Sequence, residues 1–241
     1  MKATNDGPAS SPTLLLLIKT GKKDHLAQLQ RTGALRMQRL ATFRAMDDNV
    51  GRGDPDEGTV AMLQPDHVVV TFGDVTIDRI VGPIKVTYDA DVQQHVFCLH
   101  AVTGDKHAAI FEAGAPPLDP KNLRLGDHAL VITNVPAFLE RLKAAARHQR
   151  FRLKAGLVTY IDPDLHHGRM GPLLKTMSYA HQSEWRVVIE GADPDILIFE
   201  LGQGLEDISI LVPCAAVCSQ MKFKMRSPAD MDQNTTSLPA A

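Results

Sequence analysis

The stretch His181-Gln182-Ser183-Glu184-Trp185-Arg186-Val187-Val188-Ile189-Glu190 decides how the chain is read. It opens polar, closes apolar and holds the only tryptophan. Side chains along a strand alternate between faces. Read as a strand from its start, it places Gln182, Glu184 and Arg186 on one face and Ser183, Trp185, Val187 and Ile189 on the other. The second face is large and apolar and is expected to pack on a core, with Trp185 inside it rather than serving as a stacking platform. The first sets an acceptor-only carboxylate beside an amide that both donates and accepts. That is unusual for a structural polar face, which favours Thr, Lys and Ser. The plain alternative is that Glu184 and Arg186 pair on an exposed strand face.

Upstream, Leu14-Leu15-Leu16-Leu17-Ile18-Lys19-Thr20 is a continuous apolar run closed by Gly21, the pattern of a strand buried on both faces. Asp24 is placed to cap a helix over residues 25–32, with Leu26 and Leu29 inward and Gly33 as its stop. Leu35 and Met37 begin an extended segment, and Leu40 to Met46 reads as helix or strand. Strands are expected at His67–Phe72, Ile84–Tyr88, His95–Val102 (central), His128–Ile132, Phe151–Ile161 and Ile208–Val212. Asn134 is expected to cap a helix carrying Phe138, Leu139, Leu142 and Ala145 on one stripe. Its flanking Arg141, Lys143, Arg147 and Arg150 read as a solvated face. Strands dominate and helices do not alternate with them, which points to an α+β fold with a mixed or antiparallel sheet and two or three helices. The expected layout is a tail over 1–12, one α+β domain over 13–225 and a second tail over 226–241.

The 241 residues are 44% hydrophobic and 22% charged, with a formal net charge of −2. Such a chain is an ordinary globular one without a global field to attract nucleic acid. Cys98, Cys214 and Cys218 are too few for a disulfide framework and read as reduced thiols of a cytoplasmic protein. The longest apolar run is too short to span a bilayer, and no signal peptide or membrane association is expected. No GxGxxG follows the first strand and no P-loop occurs. Gly51 to Gly58 is a turn cluster whose Asp54, Asp56 and Glu57 lack the spacing of an EF-hand. His166-His167 point apart on an extended chain, so no metal is expected.

Several segments resemble a widespread group of uncharacterised bacterial proteins often associated with defence against phage. They are Phe43-Arg44 with Asp47-Asp48, Arg52-Gly53-Asp54-Pro55-Asp56-Glu57-Gly58, Phe97-Cys98, Gly126 to Ile132 with Phe138-Leu139, and Tyr179-x-x-Gln182-x-Glu184-Trp185-Arg186. A second resemblance is to ADP-ribosyltransferases, including DNA-modifying toxins of the DarT type. There an early strand holds NAD and a late strand presents Gln-x-Glu. Here Lys19-Thr20-Gly21 ends the early strand, Gln182-Ser183-Glu184 opens the late one, and Ile208 to Pro213 is similar to the apolar strand that follows. Lys19 stands where Arg or His is usual, and Thr42-Phe43-Arg44 stands where Ser-Thr-Ser is usual.

The resemblance implies an NAD-dependent transferase, a toxin or phage-defence effector, acting on nucleic acid, protein or another acceptor and paired with an antitoxin or defence partner. Glu184 would stabilise the oxocarbenium-like ribose and Gln182 would orient the acceptor. Lys19, Thr20, Phe43, Arg44 and Tyr179 would hold NAD. Arg52, Glu57 and Arg186 are substrate-binding candidates, with a structural ion pair as the alternative for Arg52 and Glu57. Two further readings stay open. One is a non-catalytic module whose Gln182/Glu184 groove binds a nucleotide or a protein. The other is a metal-dependent nuclease using Asp54, Asp56, Glu57 and Glu184.

Overall fold

The computed structural model describes residues 13–47, 51–77, 79–104, 107, 110 and 112–222. The expected tails lie outside the described residues, as does Asp48. The strands are β1 (Leu14–Gly21), β2 (Ala34–Arg39), β3 (Thr59–Leu63), β4 (Val70–Phe72), β5 (Val75–Ile77), β6 (Ile84–Thr87), β7 (His95–Thr103) and β8 (His128–Ile132). They continue with β9 (Arg152–Leu157), β10 (Thr159–Ile161), β11 (Gly168–Arg169), β12 (Leu174–Thr176), β13 (Glu184–Glu190), β14 (Ile196–Glu200) and β15 (Ser209–Pro213). The helices are α1 (Lys23–Thr32), α2 (Leu40–Ala45), α3 (Asp89–Val92), α4 (Val135–Gln149) and α5 (Cys214–Gln220). The fold is α+β, with few helices and sheets that are antiparallel except for the two-stranded β10–β12 pair. Among the described residues there are more helices than the two or three expected, because α2, α3 and α5 are too short to show a period. No helix among the described residues is long and apolar enough to cross a membrane.

Eight strands form one antiparallel sheet, and it branches at β7. One edge of β7 pairs with β13 from His95 to His100. The other edge is shared. β2 pairs at His95 and Val96, and β1 takes over from His100 to Thr103. Phe97, Cys98 and Leu99 therefore face a fork on that edge, with neither strand's register opposite them. β8 and β15 extend the β1 branch and β14 extends the β2 branch.

Alternation places the main core on one face. Leu17, Phe97, Leu99, Trp185, Val187 and Ile189 meet α1 through Leu26 and Leu29 and α4 through Phe138 and Leu142. The Trp185 and Phe138 rings are 6.3 Å apart. The opposite face is divided between α5, over Ile18, Val102 and Val131, and a small cluster of Leu40, Val96 and Val188. Asn134 caps α4 by accepting from the Ala137 amide at 3.1 Å. α1 begins two residues earlier than expected, so Asp24 sits in its first turn and Lys22 holds the cap position without a side-chain bond. Asp24 still opposes the positive end of the helix dipole there.

Two strand expectations are corrected. His67–Phe72 is not a core strand: Pro65–His67 turns, and β4 pairs only with β5 as a small hairpin whose Phe72 is 82% exposed. Phe151–Ile161 is interrupted at Val158, whose amide donates to the Glu184 carbonyl, and β10 leaves to pair in parallel with β12. At the outer end of β1, a Cβ added to Gly126 would lie 2.3 Å from the Gly21 carbonyl group, so the two backbones touch.

Candidate functional site

The quoted stretch does not begin as a strand. Met177–Gln182 winds into a 3-10 turn and Ser183 takes a left-handed conformation at φ 44°, so β13 starts at Glu184. A non-glycine residue held at positive φ is uncommon and strained. The alternation expected beyond that point holds, with Glu184 and Arg186 on the face opposite Trp185.

Arg186 is 1% exposed and fully engaged. Its Nη1 and Nη2 donate to the two Glu57 oxygens, both at 2.7 Å. Its Nε donates to Glu184 Oε2 at 2.6 Å, and Nη1 also reaches the Pro172 carbonyl at 2.7 Å. This bidentate grip suits the planar guanidinium. Lys175, from β12, fills the centre of the cluster. Its Nζ donates to Gln182 Oε1 at 2.8 Å and lies 3.6 Å from Asp54 Oδ2, 3.8 Å from Glu57 Oε2 and 3.6 Å from Glu184 Oε1. The Tyr179 ring caps it, with Nζ 4.4 Å from the centroid.

Burial opposes ionisation of Glu184, but Arg186 and Lys175 outweigh it and hold the carboxyl below its usual range. For Asp54 burial wins over Lys175, and Glu57 adds to it, so that carboxyl is raised. Burial would also lower Arg186, yet Glu184 and Glu57 push its pKa well up. Burial raises the Cys98 thiol to about 11 and the Tyr179 phenol to about 12.

A cavity of about 890 Å³ occupies the fork. Lys19 shares the parity of Leu17 and enters from the helix-covered face, while Glu184 and Arg186 belong to the other face. The gap between β1 and β2 lets both line one space. Lys19 Nζ donates to the Cys98 carbonyl at 2.8 Å and stands 4.6 Å from the centre of the Phe97 ring. Burial lowers its pKa, with Cys98 and Glu184 acting the other way.

The cavity brings together most of the residues picked from the sequence: Lys19, Thr20, Phe43, Arg52, Glu57, Gln182, Glu184 and Arg186 all line it. Two do not. Arg44 turns outward from α2 and donates to Thr87 Oγ1 at 2.8 Å. Tyr179 donates to the Gly53 carbonyl at 3.0 Å and ties down the acidic turn. Gln182 bridges Lys175 and the Gly51 carbonyl, the latter at 3.0 Å. Asp54, Glu57 and Glu184 converge on the Lys175 ammonium, and Asp56 bonds Lys85 at 2.5 Å instead. Among the described residues no group of three or more His, Cys, Asp or Glu is arranged to hold a metal.

Lys175, Cys98 and Tyr160 have no site role that the sequence displays; the Tyr160 phenol oxygen accepts the Glu184 amide at 2.8 Å. Lys175 lies in a three-residue strand with no period to read, and its surroundings come from a turn more than a hundred residues away. No family model, no curated protein and no solved structure matches the chain.

Proposed function

We propose that the chain is an NAD-dependent ADP-ribosyltransferase that works inside the cell as a toxin or phage-defence effector, with nucleic acid among its acceptors. The observation that carries this reading is the forked-sheet cavity with an ionised Glu184 on its wall. Its volume of about 890 Å³ falls in the range of pockets that enclose whole small ligands and cofactors. The exposed cations Lys22 and Arg36 line its outer part beside His25 and suit a pyrophosphate.

In the proposed reaction the bond between ribose C1″ and the nicotinamide nitrogen breaks, and its electron pair leaves with nicotinamide. Positive charge then develops on the ribose, as in glycoside cleavage. The Glu184 carboxylate is fixed by Arg186 before the reaction, so it stabilises that charge without reorganising. The acceptor's nucleophilic atom bonds C1″ and releases its proton. Gln182, held at both ends of its amide, orients that acceptor.

A second reading is favoured by a separate observation: Asp54, Glu57, Arg186 and Lys175 all satisfy one another. A set so completely paired suits a non-catalytic module whose groove binds a nucleotide or a protein.

The test is release of nicotinamide and transfer of label from NAD to DNA, RNA or lysate protein, with the Glu184→Gln variant run alongside and its fold checked by circular dichroism. Turnover that the variant lacks supports transfer. Folded protein that binds NAD without consuming it moves the assignment to the binding module.

A further inference from the structure

Lys19 is held differently from the other cations around the cavity. Each of the other two cations in the cluster meets carboxylates, Arg186 at 2.6 and 2.7 Å and Lys175 at 3.6 to 3.8 Å. Lys19 has no ion-pair partner among the described residues. Its contacts are a backbone carbonyl and an aromatic ring, and Glu184 acts on it only from beyond ion-pair distance. A neutral amine still donates one hydrogen bond to a carbonyl, more weakly than an ammonium, and it avoids the cost of burying a charge with no carboxylate in contact. The residue is half-buried and borders the cavity, so its lone pair is screened from bulk water but open to a ligand. Desolvation in such a site is what turns a lysine into a nucleophile.

We infer that Lys19 Nζ is a nucleophilic amine that captures phosphate-bearing aldehydes in the fork cavity as imines. The lone pair of Nζ attacks the carbonyl carbon, and the carbonyl oxygen takes up a proton to give a carbinolamine. Water then leaves, carrying that oxygen, the C=N bond forms, and the protons lost from nitrogen account for those gained by oxygen. The phosphate preference follows from the cations Lys22 and Arg36 at the mouth. The amine chemistry stands on the cavity alone. That a ribosyl aldehyde such as open-chain ADP-ribose is the natural ligand rests on the transferase reading.

The experiment treats the full chain at neutral pH with substoichiometric pyridoxal 5′-phosphate, traps the imine with borohydride and maps the label by peptide mass spectrometry. Lys19 is expected to carry at least about tenfold more label than exposed Lys143, following the larger neutral fraction of a desolvated amine, and Lys19→Arg is expected to lose that label. Pyridoxal without its phosphate is expected to label Lys19 more slowly, and a Lys22→Ala/Arg36→Ala variant is expected to erase that difference. Label spread over exposed lysines with Lys19 unmodified overturns the inference. So does a phosphate preference that survives removal of the two rim cations. Nicotinamide release from NAD is followed in untreated aliquots of the same preparations, so loss of the transferase reading with Lys19 still labelled is seen as a separate result.

Discussion

Lys19 and Lys175 stand in one cluster, and they differ in what surrounds the nitrogen. Lys175 is ringed by Asp54, Glu57 and Glu184, with a glutamine oxygen and a tyrosine face completing the shell. Lys19 has a peptide carbonyl and a phenylalanine face, and burial lowers its pKa. Burial does not by itself decide what a lysine does. The counter-charge does, and here the carboxylates have all been assigned to one side of the cluster.

The contrast is broken most severely at Lys175. Replacing it with Met leaves three carboxylates facing one arginine, and loss of about 3–5 kcal/mol is expected in urea unfolding, the usual cost of removing one partner of a buried ionic group. Glu184→Gln comes next. It removes the carboxylate that both lysines feel, and nicotinamide release is expected to fall about 10²- to 10³-fold, measured at saturating NAD. Lys19→Met has the opposite sign for stability. It removes a polar group that burial disfavours, and a gain of about 1 kcal/mol is expected, at the expense of imine trapping.

Acidity sharpens the same comparison. Lys19 binds its proton less readily folded than unfolded, so the wild type is penalised at neutral pH and recovers stability as pH climbs toward the ordinary lysine value of 10.5. The Lys19→Met variant should lack that recovery in unfolding midpoints taken across the alkaline range. Glu184 runs the other way. Its depressed pKa stabilises the fold above the ordinary 4.5 and that stabilisation is lost as pH falls through the folded value. Glu184→Gln should therefore show a shallower loss of stability in acid. The smallest effect belongs to the partly exposed Lys85–Asp56 pair, where Lys85→Ala is expected to change unfolding by less than about 0.5 kcal/mol.

Local patterns carried much of the fold into view. The apolar run of β1, the central β7, the Asn134-capped helix and the inward Trp185 each have a period or cap that sequence displays. The site was legible only in part. Glu184 and Arg186 do share a face, but the turn at Ser183 removes Gln182 from the strand, and no residue pattern announces a left-handed serine. Arg44 and Phe43 both enter as NAD-holding candidates through the resemblance, as part of Thr42-Phe43-Arg44. On a helix adjacent residues diverge, so Phe43 reaches the cavity while Arg44 meets Thr87. Lys175 stayed hidden because its meaning comes from Asp54 and Glu57, which reach it only through the fold.

The contact between Gly126 and Gly21 has a consequence for engineering. Lys19 lies two residues before Gly21, and no side chain separates that strand end from the loop behind it. A single methyl group, Gly126→Ala, must push the strand end aside by more than an ångström or bend the loop away, since 2.3 Å is far inside any tolerable carbon contact. The amine's reach into the fork can therefore be retuned from outside the cavity, without altering any residue that a ligand would touch.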